Sequence, residues 1–159
     1  ATDYFNGRRS PGTNGALTAS LANLRILSSA PEIYYAIVES TAFATKAILD
    51  YMSGYDVPVD SLVAVGGVAQ KSPFVMQMMA DVTGREIEVS GSRYAGALGA
   101  AMHAAVAAGL YGDVPQAQKA MASPVITTYK PRTADRDILM ARYARYLDMA
   151  RFTEEEIKK

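Results

Sequence analysis

Two glycines, a lysine, a serine and a proline stand close together in SLVAVGGVAQKSPFVMQMMADVTG at residues 61–84. Gly66 and Gly67 end an apolar run, and Lys71, Ser72 and Pro73 lead into a pattern with helical spacing. Such a junction suits one kind of chemistry. Without a Cβ in the way, a flat or charged group can reach the backbone at the glycines, and a helix beginning at Ser72 adds unpaired N–H donors beside it. In open α/β sheets, ligands sit beyond the carboxyl ends of strands, where this junction would lie. It is not a Walker loop, because no Gly-Lys-Ser/Thr follows at the required spacing, nor is it the dinucleotide glycine fingerprint. A purely structural turn, in which glycine only supplies a positive φ, explains the pair equally well. A second set of small residues, Gly96, Ala97 and Gly99, opens the alanine-rich segment 94–110. There, tight packing against a neighbouring element is the simpler reading, and contact with a ligand the sharper one.

The elements that would position these residues read as alternating strands and helices. The run at 62–65 is β-branched and lacks alternation, as expected of a strand buried on both faces. Ser72 and Pro73 form an N-cap and first-turn pair, Val75, Met78, Met79 and Val82 recur on one helical face, and Gly84 ends it. Residues 86–89 place Ile87 and Val89 on one face and Glu86 and Glu88 on the other, a half-exposed strand. A βαβ crossover is therefore predicted, with both strands in one sheet. Upstream, residues 31–52 form a long helix. Its charges at Glu32, Glu39 and Lys46 fall every seven residues on a narrow polar stripe, with Pro31 at its start and Gly54 past its end. Leu17, Leu21 and Leu24 fit helix and strand equally, whereas residues 6–15 have loop composition. Downstream come a helix introduced by Asp113 and Pro115, an extended segment PVITTYKPR, and a last amphipathic helix marked by Leu139, Tyr143, Tyr146 and Ala150. Asp135 and Asp137 favour its first turn. The closing TEEEIKK is expected to be solvated and frayed.

Composition narrows the function classes. With 159 residues, half of them apolar, the chain has material for one core. Sixteen basic residues balance sixteen acidic ones, so no overall field draws it to nucleic acid or an anionic membrane. The absence of cysteine excludes disulfides and thiolate metal sites, and a single histidine argues against a histidine-rich metal centre. No signal order or membrane-length apolar run is present, and a cytoplasmic location is the expectation. The opening ATDYFNGRRSPGTNG has turn chemistry with no strand or capped helix before it, as expected of a chain cut from a longer one.

Five separated segments carry a resemblance. They are DYFNGRRSP at 3–11, ESTAFATKAI at 39–48, the glycine turn with Lys71 and Ser72, ALGAAMHAAVAAG at 97–109 and DVPQAQKAMAS at 113–123. In this order they resemble the FGGY family of carbohydrate kinases, most closely its L-ribulose branch. The resemblance implies a fold: a helix-rich α/β portion, with a small mixed sheet, of an actin/hexokinase/Hsp70-like (ribonuclease H-like) ATPase domain. It also implies that residues 1–159 are the C-terminal part of the nucleotide-binding domain, without the N-terminal sugar-binding domain and without the opening hairpin of this one. The implied reaction is ATP- and Mg2+-dependent phosphorylation of L-ribulose to its 5-phosphate. The catalytic aspartate, most sugar contacts and the leading phosphate loop would lie outside this chain, so the chain alone would be inactive and would hold no metal itself. Gly66 and Gly67 match the family's paired adenosine-site glycines. Ser72 falls near the residue facing adenine; because this turn is one residue longer than the common form, Lys71 and Ser72 could exchange roles. Gly96 and Ala97, with Gly99, match the opposite wall of the adenosine pocket. The implied partners are the rest of the kinase polypeptide and a small sugar, with no nucleic acid or membrane, and exposed edges should drive self-association. A kinase for xylulose, gluconate or glycerol, or a non-catalytic actin-like module, stand as alternatives.

Other residues admit plainer explanations. Arg8 and Arg9 read as a solvated turn or a domain contact, and His103 as a packed or surface residue. Met76, Met78 and Met79 read as core filling, and Tyr143 and Tyr146 as an amphipathic face.

Overall fold

The computed structural model describes residues 1–157. Helix α1 spans Ala30–Ser53, followed by strand β1 (Leu62–Ala64), helices α2 (Gly67–Lys71) and α3 (Pro73–Thr83), and strand β2 (Ile87–Ser90). Then come α4 (Ala95–Ala107), α5 (Val114–Met121), strand β3 (Val125–Tyr129) and α6 (Arg136–Ile157). The sheet has the order β1-β2-β3 and is mixed. β1 and β2 are parallel, with Leu62 opposite Ile87 and Ala64 opposite Val89, and β3 runs antiparallel to β2. The predicted crossover is present, with α3 between the paired strands.

Local sequence accounts for most boundaries. Ser29 and Glu32 form a reciprocal capping box at the start of α1, satisfying two otherwise orphan donors. Asp113 caps α5 by accepting from the Gln116 N–H at 2.8 Å. Gly84 ends α3 in the left-handed conformation, where a Cβ would meet the Arg136 guanidinium at 2.5 Å.

Two apolar clusters share α3. On one side, Ala42 and Phe43 of α1 pack with Met78 and Val82 of α3 and with Leu139, Tyr143 and Tyr146 of α6. The Phe43 ring centroid lies 5.7 Å from that of each tyrosine. On the other, Met76 and Ala80 cover Ile87 and Val89 of β2 together with Ala69 of α2. Met79 packs against both clusters. Burying a side chain such as Val82 or Val89 completely contributes roughly 1.5–3 kcal/mol, so α3 is the element that joins sheet to helices. A third cluster, Tyr4, Leu17 and Ala150, seats the N-terminal loop on α6.

Several expectations change. β1 is an edge strand rather than one buried on both faces: Val63 and Val65 are more than half exposed, because nothing among the described residues covers their side of the sheet. Residues 17–28 adopt neither helix nor strand; Leu17 is buried, while Leu21, Leu24, Ile26 and Leu27 are exposed. The chain end is not frayed through Ile157. Thr153 is buried beside Ser20, and Glu154 pairs with Arg8, which reaches it from the N-terminal loop. Lys158 and Lys159 of the TEEEIKK expectation lie outside the described residues. Glu39, expected on the polar stripe of α1, is buried and accepts from Arg142 Nη1 at 2.9 Å.

Candidate nucleotide site at the glycine turn

Because β1 and β2 are parallel, the turn leaving β1 at Gly66 and the turn leaving β2 after Ser90 emerge at the same end of the sheet. Each leads into a helix, α2 in the first case and α4 in the second. Their starts carry Gly66 and Gly67 on one side and Gly96 and Ala97 on the other.

The paired glycines do different jobs. Gly66 has φ +92° and ψ −178°, a region open essentially to glycine alone, and it caps α2. Gly67 is the first residue of α2, has no positive φ, and a Cβ built there meets nothing within 4 Å. Hence a positive φ explains Gly66 and leaves the glycine at 67 without a backbone reason. The expected loop between strand and helix is itself helical, with Lys71 exposed in the last turn of α2. Ser72 sits at the joint of α2 and α3: its N–H donates to the Val68 carbonyl at 3.0 Å, and its own carbonyl accepts from Met76 N–H at 3.1 Å. It occupies the predicted N-cap position, but its side chain makes no capping hydrogen bond, because ψ 84° departs from the extended capping geometry.

On the second wall, the expected tight packing of small residues is absent. Cβ atoms built at Gly96 and Gly99 meet nothing within 4 Å, and Met102 is the buried residue of α4, which rests on α5. Close backbone approach occurs instead at Gly91, where a Cβ would lie 2.9 Å from Ile126 Cγ2 and 3.1 Å from the Pro124 carbonyl. One residue missed by sequence reasoning links the two walls: Gln70 Nε2 donates to the carbonyls of Ser90 and Ser92, each at 3.0 Å. A glutamine inside a strand-to-helix turn carries no spacing signal that would have marked it. The face is an open surface. A cleft of about 680 Å³ lies elsewhere, between the N-terminal loop (Phe5, Arg9) and α1 and α6 (Ile48, Leu147), and contains none of these residues.

Polar groups away from the turn are structural. Asp81 is buried and accepts from Gln77, from the Arg132 backbone N–H at 2.8 Å, and from the Arg132 guanidinium at 3.0 and 2.6 Å. Burial opposes its ionisation, but these bonds outweigh burial and hold the carboxyl below its ordinary value. Burial first, then the adjacent aspartates, push the hydroxyls of Tyr143 and Tyr146 far up, so both stay protonated; they donate to Asp50 and Asp3 at 2.8 and 2.9 Å. Arg8 is a clamp between Glu154, the Gly12 carbonyl and the Tyr4 ring, whereas Arg9 and His103 are exposed. Among the described residues, no group of three or more histidines or acids converges as a metal site.

This is a helix-rich α/β fold with a small, open, mixed sheet. It superimposes on a xylulose kinase from Rhodospirillum rubrum with a TM-score of 0.81 at 18% identity, over 99% of this chain and 31% of that one. It superimposes on a Plasmodium falciparum glycerol kinase solved with ADP at 0.70 and 20%, over 94% and 29%. The family model for the C-terminal domain of the FGGY family of carbohydrate kinases matches residues 1–108, and the chain belongs to that family. Among curated proteins it is 48% identical over 155 residues to a ribulokinase from Vibrio parahaemolyticus, covering 98% of this chain and 27% of that protein. It is 39% identical over 153 residues to one from Bacillus licheniformis, covering 94% and 28%. The chain thus spans about a quarter of the length of the relatives it matches. No helix among the described residues is long and apolar enough to cross a membrane.

Proposed function

We propose that this chain is the adenosine-side portion of an ATP-dependent sugar kinase, with nucleotide lying across Gly66, Gly67 and Ser72 on one wall and Gly96 and Ala97 on the other. The observation that carries the reading is Gly67, a glycine with no φ requirement and open space where its Cβ would be, at the carboxyl end of a parallel strand. A flat, charged ligand such as ATP suits a face where glycines at 66, 67 and 96 leave the backbone bare. Mg2+ has no acidic cluster to hold it among the described residues, and we assign its binding, with the catalytic base and most sugar contacts, to the rest of the polypeptide. In the reaction the sugar hydroxyl oxygen bonds to the γ-phosphorus as the β–γ bridge breaks, ADP leaves, and the hydroxyl proton passes to that base. On this reading the chain alone is inactive, the intact protein is cytoplasmic, and the exposed apolar residues on both sheet edges (Val63 and Val65; Val125 and Ile126) meet the rest of the kinase or a second copy.

Ribulokinase relatives along nearly the whole chain support L-ribulose as the sugar. A second reading, another FGGY kinase acting on xylulose, gluconate or glycerol, is supported by the fold shared with kinases of those names. Coupled ADP-release assays of the full-length protein on the four substrates decide between them. Highest kcat/KM on L-ribulose is the expected result, and preference for another substrate transfers the assignment to it. Nucleotide binding with no phosphoryl transfer to any would point to a non-catalytic module.

A further inference from the structure

We infer that Gln70 is a positioning residue that sets the separation of the two walls of the nucleotide site; the inference rests on the adenosine-site reading above. The two glycine-bearing helix starts come from different strands, so their spacing is not fixed by chain connectivity. α2 is five residues long, too short to hold its own orientation by helix formation alone. It is anchored below by Ala69, which is buried against Met76, Ala80 and the sheet. Laterally, the anchor that reaches the other wall is the Gln70 carboxamide. A primary amide has two N–H donors, and here they meet two carbonyls, Ser90 and Ser92, each at 3.0 Å. Those carbonyls flank Gly91, whose N–H donates to the Pro124 carbonyl at 2.9 Å and where a Cβ would meet Ile126 and Pro124. The Ser92 N–H in turn donates to Ser90 Oγ at 3.2 Å, and Ser92 is buried. The β2–α4 turn is therefore held from the β3 side and by its own serine, and Gln70 ties α2 to that fixed point. α4 begins three residues beyond Ser92, at Ala95. No other residue on α2 serves this purpose: Val68 and Lys71 are exposed, and Gly67 has no side chain. A ligand spanning both walls would find them preset at one spacing by Gln70, and without it would have to order α2 on binding.

The test uses the full-length kinase, with ADP affinity by calorimetry, KM for ATP and for the sugar, and thermal unfolding measured together. Gln70→Met keeps the side-chain length but removes both donors, and Gln70→Asn keeps the amide but withdraws it by one methylene. Losing two hydrogen bonds that serve the bound geometry should weaken ADP binding about 10-fold in either variant and raise the ATP KM in parallel, with the sugar KM unchanged. Gln70→Glu, an acceptor facing two acceptors, should lose more. The split between nucleotide and sugar is the readout that a general loss of stability would not produce, and either uncharged variant suffices if the other misfolds. Unchanged ADP affinity in both, alongside a Gly67→Ala variant that binds ADP poorly, overturns the role of Gln70 and leaves the site standing. Unchanged affinity in Gly67→Ala removes the site itself, and the inference with it.

Discussion

The end of the molecule built from the N-terminal loop, α1 and α6 differs in kind from the end built by the turns after β1 and β2. At the first, long-range partners tie polar groups together: Asp3 with Tyr146, Asp50 with Tyr143, Arg8 with Glu154 and Thr2 with Ser20. At the second, the glycines at 67, 96 and 99 face open space, Val68 and Tyr94 are exposed, and Gln70 supplies the tie between the two turns. The contrast separates where this chain is held together from where we propose that it binds nucleotide. A polar group that is already partnered adds stability, whereas a backbone left bare by glycine adds none and is explained by what lies against it.

Changes at the clamped end should act on stability alone. Tyr146→Ala removes a ring packed on Phe43 and Tyr143 and leaves Asp3 without its donor, and should cost about 3–5 kcal/mol in chemical denaturation. If ADP affinity of the folded fraction also fell, the two regions would not be independent. Away from both ends, on α3, Asp81→Asn should cost on the order of 2 kcal/mol near neutral pH. Its folded pKa lies below the ordinary aspartate value, so its contribution is fully present above that ordinary value and is lost as pH falls through the lower folded one. The stability gap between wild type and Asp81→Asn should therefore be constant from pH 5 to 7 and close in acid below about pH 4. A gap that persisted at low pH would remove the carboxylate from the explanation. Smaller again, Gly66→Ala forces a Cβ into a glycine-only backbone region and should destabilise by about 1–2 kcal/mol, read as a lowered Tm.

Much of the fold was legible because it is written in local signals. The α3 boundaries Pro73 and Thr83, the parallel pairing of β1 with β2, the alternation of Ile87 and Val89, and the Tyr143–Tyr146 face all follow from spacing and capping residues. What was missed depends on residues far away in sequence. Glu39 reads as part of a solvated stripe until Arg142 is brought to it, and the acidic tail reads as frayed until Arg8 and Ser20 seat it. The run at 62–65 lacks polar alternation although Val63 of β1 and Val65 just past it are on an uncovered side, which composition does not distinguish from burial on two faces. At the site, the glycine pair was visible but not its division of labour. Only backbone geometry assigns the positive φ to Gly66 and frees Gly67, and only packing shows that Gly91, rather than Gly96 or Gly99, is the glycine of close approach.

That division makes one substitution decisive. Gly67→Ala adds a methyl group at a helical position with nothing within 4 Å, so the fold should accept it with a stability change of under about 1 kcal/mol. In the full-length kinase, ADP affinity by calorimetry and Tm are measured on the same preparation. The proposed site predicts an unchanged Tm with ADP binding weakened at least about 10-fold, roughly 1.4 kcal/mol, and sugar affinity retained. An unchanged Tm with wild-type ADP affinity would contradict it, because the space left open at Gly67 would then not be occupied by nucleotide.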